Sequence, residues 1–162
     1  KSEQEFTRKL MHKPVVFLDS SVLIAALLSG QGGSAYVLTQ LRENFDFQIN
    51  EYVLAEVQEI LKTKFSHLPS MSIQLFLWMG VNPIIILENP AKKEVIKLAK
   101  YISKNDAPIL ASALLGSDYL LTLDNEFFGE KIIELANNKS LSILKPKELI
   151  EAVKTNKIYS KT

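Results

Sequence analysis

The sequence predicts an α/β fold, a three-layer α/β/α sandwich with a central parallel sheet of five strands. Three observations carry that prediction. Short β-like apolar runs alternate with helical patterns along the chain, the order of elements that builds a parallel sheet covered on both faces. The run at residues 84–87, Ile-Ile-Ile-Leu after Pro83, is continuously apolar and mostly β-branched, as expected of a strand buried on both faces. A length of 162 residues, 47% of them apolar, suits one domain with a substantial core, and no repeat, low-complexity tract or linker interrupts it.

Taken in order, residues 15–18 form a compact apolar strand and residues 45–49 a second. Residues 84–87, 119–123 and 141–144 complete the set of five. Between the first two, Val37, Leu38, Leu41 and Phe45 keep helical spacing, and Val53, Val57, Ile60 and Leu61 do so within residues 52–62. Residues 68–79 are apolar enough for a buried or groove-forming helix. In residues 91–104, Val95, Leu98, Ala99 and Ile102 form one stripe and Lys93, Lys97, Lys100 and Lys104 the opposite one, so a helix is expected there. Residues 109–115 and 146–153 read as two further helices, the latter led by Pro146.

Composition removes several function classes. With no Cys there is no disulfide, thiolate nucleophile or zinc ribbon, and two distant His, His12 and His67, exclude a multi-histidine metal site. The longest apolar run, residues 22–28, is seven residues, far short of the roughly 20 a membrane-spanning helix requires. Residues 1–13 are charged throughout, so no signal peptide is expected and a cytoplasmic protein is. The net charge of +1 conceals a segregation. Residues 1–13 carry +2 and residues 139–162 carry +4, leaving nine basic against fourteen acidic groups between them. Such a chain suits a protein that concentrates cations and holds a polyanion, although solvated tails also explain it. The expected organisation is an N-terminal extension over 1–13, one domain over 14–155 and a basic tail over 156–162.

Ligands of open α/β sheets bind beyond the carboxyl ends of the strands, so carboxylates at those ends matter most. Asp19 directly follows the first strand and Asp124 the fourth; as helix N-cap and loop residue each also has a structural explanation. Asp106 precedes Ala107-Pro108 at a helix start, where it can cap. Glu56 lies beside the apolar stripe of its helix rather than opposite it, and its residue pattern alone leaves cleft and solvent equally open. Asp118 precedes the strand that Asp124 follows, at the other end of the sheet, and reads as a turn residue. Several converging carboxylates without neutralising bases call for a hard divalent cation with oxygen ligands, magnesium or manganese. The chemistry that follows is hydrolysis of a phosphodiester.

Four segments in this order resemble the PIN-domain family: VVFLDSSVLIAALL at 15–28, INEYVLAEVQEIL at 49–61, NDAPILASALLGSDYLLTLDNEFF at 105–128 and SILKPKELI at 142–150. The resemblance is nearest to the toxin components of toxin–antitoxin systems. It implies a parallel five-stranded sheet and a magnesium- or manganese-dependent ribonuclease acting on single-stranded RNA. It further implies that Asp19, Glu56, Asp106 and Asp124 form the catalytic, metal-holding cluster, with Ser21 at a supporting position that orients a ligand or substrate. Asn105 stands where relatives often carry a further acid, and Ser21 where they often carry Asn. An antitoxin protein and a homodimer are the partners the resemblance suggests; neither follows from the residues themselves.

An alternative of a different class is a PIN-like module that binds RNA or a protein without cleaving it. A haloacid-dehalogenase-type phosphatase expects a second Asp two residues after the first, where this chain has Ser21, and residues 30–33 lack the Lys of a phosphate-binding loop. Lys100 and Lys104, at the end of the lysine stripe near Asp106, are candidate RNA contacts, with a solvated helix face as the plain reading. The apolar segment 71–79, with Phe76 and Trp78, reads as core in preference to a dimer or antitoxin groove.

Overall fold

The computed structural model describes Glu3 and residues 12–155. The expected tail over 156–162 lies outside the described residues, as does the expected extension over 1–13 apart from Glu3, His12 and Lys13. The elements are β1 (Val15–Leu18), α1 (Ser20–Leu28), α2 (Gly33–Gln40), β2 (Asp46–Asn50), α3 (Glu51–Thr63), α4 (Ser70–Val81) and β3 (Ile84–Leu87). They continue with α5 (Lys92–Leu98), α6 (Ala107–Leu114), β4 (Tyr119–Leu121), a 3₁₀ turn (Asn125–Phe128), α7 (Glu130–Asn138), β5 (Ser142–Leu144) and α8 (Pro146–Lys154). All strand pairs are parallel and the sheet order is β3-β2-β1-β4-β5. The chain thus steps one way from β1 to β3, then crosses back to β4 and continues to β5. Right-handed crossovers put α1–α4 on one face and α5–α7 on the other, and α1 to α4 pack among themselves while α5 packs on α6. Among the described residues no single helix is long and apolar enough to cross a membrane.

The central strands are buried because both faces are covered. Val16, Phe17 and Leu18 of β1 and Leu120 and Leu121 of β4 are fully enclosed, each side chain contributing about 1.5–3 kcal/mol of apolar burial. β3 departs from the sequence expectation. It is the edge strand, and Ile85 and Ile86 are 52% and 43% exposed, so its apolar run does not mark a strand buried on both faces. The apolar segment of α4 is likewise divided: Met71 and Leu75 are buried, but Ile73, Phe76, Leu77 and Val81 stand exposed. The expected helix over 91–104 stops at Leu98, and turns carry the chain to Ser103 and Asp106. There the Ser103 hydroxyl accepts the Asp106 N–H at 3.3 Å and donates to the Asp106 carboxylate at 3.0 Å, side-chain bonds that compete with helix continuation. Phe45 packs from the connection before β2 rather than from α2, which ends at Gln40.

Two polar residues lock the frame around the site. Asp118 accepts the Val15 N–H at 2.8 Å while its own N–H donates to the Val15 carbonyl at 2.9 Å, fastening the entry of β4 to that of β1 in the structural role the sequence suggests. Asn50, fully buried at the end of β2, caps α3 by accepting the Val53 N–H at 2.9 Å. Its amide donates to the Pro108 carbonyl at 3.1 Å and to Ser112 Oγ at 2.8 Å, both on α6. One side chain therefore sets α3 against α6. Asn50→Ala removes the cap and strands buried partners, and should cost about 3 kcal/mol, read as a lower urea midpoint. A change below about 0.5 kcal/mol, the range of ordinary surface substitutions, would show that the two helices are held otherwise.

Candidate active site

β1 and β4 are neighbours in the sheet, and between them the strand order reverses direction, the place where open α/β sheets leave a crevice. Leu18 is in register with Leu121, and the Asp19 N–H donates to the Leu121 carbonyl at 3.0 Å. The residues after both strands consequently emerge side by side. Asp19 occupies the N-cap position of α1 without making the side-chain cap bond, so its carboxylate is free for other partners. Oδ2 accepts from Ser21 Oγ at 2.6 Å and from Thr122 Oγ1 at 2.8 Å, and Oδ1 lies 3.4 Å from Ser20 Oγ. Thr122 Oγ1 also accepts the Asp124 N–H at 3.0 Å, and Ser21 Oγ the Leu123 N–H at 3.1 Å. Hydroxyls thus tie the exit of β4 to the exit of β1.

Three further acids reach the same crevice from separate elements. Glu56, half-buried on α3, accepts a hydrogen bond from Ser20 Oγ. Asp106 stands at the start of α6, again without a cap bond, its carboxylate held by Ser103. Asp124 caps the 3₁₀ turn through Oδ1, which accepts the Glu126 N–H at 2.9 Å. Asp19, Glu56, Asp106 and Asp124 line one cleft of about 430 Å³ together with Ser20 and Ser21. The four acids singled out in the sequence and Ser21 therefore lie together, whereas Lys100 and Lys104 are exposed and outside the cleft lining.

The tightest grouping includes an acid the sequence pattern did not single out. Asp106, Asp124 and Glu126 each offer a carboxylate oxygen within 4.8 Å of the others. Glu126 also accepts the Ser103 N–H at 2.7 Å, bracing the loop that carries Asp106. Thr122, Ser20 and Tyr52 are further participants. The spacing of Glu126 two residues beyond Asp124 is the one hint available in the sequence; the others depend on which elements meet.

The electrostatics report unbalanced negative charge. Among the described residues none of these five acids forms an ion pair. Burial raises the Asp19 carboxyl above its ordinary value, against the pull of the Ser21 and Thr122 hydroxyls. Asp106 is pushed up to about 7, chiefly by burial, then by its hydrogen bond with Glu126 and by the charges of Asp124 and Asp19. The Tyr52 phenol is raised by burial and by Glu56 and Asp106, which keeps it a neutral donor beside Glu56. A hard divalent cation fits this donor set: oxygen ligands only, excess charge and hydroxyl-braced carboxylates.

Comparison with known proteins agrees with the fold. A chain in the crystal structure of VapBC2 from Rickettsia felis, bound to a DNA fragment from its promoter, superposes with a TM-score of 0.60 at 20% identity, over 81% of this chain and 98% of that one. PAE2754 from Pyrobaculum aerophilum superposes with a TM-score of 0.62 at 18% identity, over 89% and 99% of the two chains. No curated protein sequence matches. The family model described as PIN domain matches residues 16–129, which run from β1 through the 3₁₀ turn and include all five clustered acids. The chain belongs to the PIN domain family.

Proposed function

We propose that this protein is a magnesium- or manganese-dependent ribonuclease that hydrolyses phosphodiester bonds of single-stranded RNA. One observation carries the reading: Asp19, Glu56, Asp106 and Asp124, from four separate segments, line a single cleft at the strand-order reversal with no cationic partner among the described residues. In this reading Asp19 and Asp106 hold the cation, with Asp124 and Glu56 completing its surroundings directly or through water. The cation would supply charge neutralisation at the phosphate and activation of water. Ser21 and Thr122 fix the Asp19 carboxylate, and Ser103 fixes that of Asp106. The Tyr52 phenol holds a proton next to Glu56.

The test is incubation of a single-stranded RNA pool with the protein and manganese or magnesium, with and without chelator. Cleavage should require the cation and stop on chelation. RNA that is bound but left intact with either cation would instead favour a non-catalytic RNA-binding module. For the cellular role, the likeness to VapBC2 supports the toxin of a toxin–antitoxin pair, with an antitoxin protein and a second copy of the chain as candidate partners. Co-purification and sedimentation from the native source test both.

A further inference from the structure

The cleft has two chemically different ends. Ile24 and Leu28 line it one and two helical turns beyond Ser20 on α1, and Ile60 and Lys64 one and two turns beyond Glu56 on α3, with Phe65 next to Lys64. Lys64 is the one cation among the lining residues, exposed and in no ion pair among the described residues. Phe65 is half-buried, packed on the core at one side, with the His67 ring 6.2 Å away and inclined by 35°. Leu28 is 51% exposed at the rim.

An acidic site that cuts a polyanion must obtain its affinity elsewhere, because every phosphate beyond the cation is repelled. Base stacking is the sequence-tolerant source of that affinity for single strands, and a lone cation beside the aromatic ring meets the accompanying phosphate. We propose that the apolar end is a nucleotide subsite: the base adjoining the scissile phosphate lies against Phe65, and Lys64 pairs with the next phosphate. The subsite rests on the nuclease reading for its orientation, and it supplies a cation and an aromatic in one place. Lys100 and Lys104 flank Tyr101, but that ring already carries the Lys131 ammonium 5.7 Å from its centroid, and none of the three lines the cleft.

Anisotropy of a labelled short single-stranded RNA, in chelator and low salt, measures the subsite apart from cleavage. Phe65→Ala should weaken binding by about 5- to 150-fold, the loss of one stacked base. Phe65→Leu, which keeps apolar packing but has no ring, should weaken it similarly, and Phe65→Trp should restore it. A strand abasic at every position should bind wild type and Phe65→Ala alike. Lys64→Gln should lower the slope of log affinity against log salt by about 0.7, one phosphate contact on a single strand. Full binding by Phe65→Leu, or equal wild-type binding of base-bearing and abasic strands, overturns the subsite; so does a Phe65 requirement for holding a protein partner but not RNA. The two readings fail separately. A wild type that cleaves while Phe65→Leu binds normally keeps the nuclease and loses the subsite, whereas Phe65-dependent binding without cleavage keeps the subsite and loses the nuclease.

Discussion

Asp19→Asn should lose at least about 100-fold of the manganese-dependent RNA cleavage proposed for this chain, since charge stabilisation by a bound cation accounts for several kcal/mol and each 1.36 kcal/mol is tenfold in rate. The same variant should stay folded. Asp19 is 3% exposed, and burial already disfavours its charged form, so a neutral amide of the same shape relieves a desolvation penalty. The cost is on the hydrogen-bond side, where the hydroxyls of Ser21 and Thr122 donate to Oδ2 and must turn to suit an amide. These opposing terms should leave the metal-free melting temperature within a few degrees of wild type. The control is Asp118→Asn. Its remaining carbonyl oxygen still accepts the Val15 N–H, and it stands at the other end of β4, so cleavage should persist. Undiminished cleavage by Asp19→Asn, with intact melting behaviour, would remove Asp19 from the chemistry.

The contrast between Asp19 and Asp118 shows what can be read from sequence and what cannot. Both flank strands, and strand direction alone sorts them, because in a parallel sheet every carboxyl end lies on one edge. Five alternating strands make that edge legible, and with it Asp19 and Asp124. Glu56 is harder: its helical position places it beside the apolar stripe, but only the approach of α1 brings Ser20 to it. Glu126 is hidden for a different reason. Its carboxylate meets Asp106 because a 3₁₀ turn reverses the chain after Asp124 and the loop at Ser103 comes alongside, a tertiary encounter without local periodicity. The misread elements have similar causes. An apolar run such as that of β3 reports what its residues tolerate, whereas its exposure depends on whether another strand follows, and among the described residues none does on that side. The stripe through residues 95–102 stays buried at Leu98 and Ile102 although the helix ends between them, since turns can present the same side chains to the core. The helix α7, absent from the sequence expectations, does carry a short amphipathic period, with Ile132 and Ala136 buried four residues apart and Glu130, Lys131 and Glu134 exposed.

The acid cluster should make the protein less stable as pH rises, until a cation is added. The Asp106 carboxyl, at 3.8 when unfolded, is pushed up to about 7 in the fold. The folded state therefore holds a proton that the unfolded state has released across that interval. Below about pH 4 both states are protonated and Asp106 contributes nothing; stability then falls progressively to about pH 7 and levels off above it. At about 1.4 kcal/mol per pH unit the full interval would amount to about 4 kcal/mol, and the half-exposed carboxyl's screening by water reduces this to about 2 kcal/mol. For a chain of this length that is about 4–8 °C in melting temperature. Manganese or magnesium reverses the sign at neutral pH, because a cation that binds only the fold stabilises it by mass action and takes the place of the proton. The measurement is thermal unfolding from about pH 3.5 to 8.5 in chelator, and at neutral pH with and without manganese, a range that spans the interval over which linkage acts. Asp106→Asn should raise the metal-free melting temperature at neutral pH, flatten its pH dependence and reduce the rise produced by manganese. An equal rise in Asp106→Asn and wild type would mean that the cation is held without Asp106, leaving Asp124, Glu126 and Asp19 to account for it.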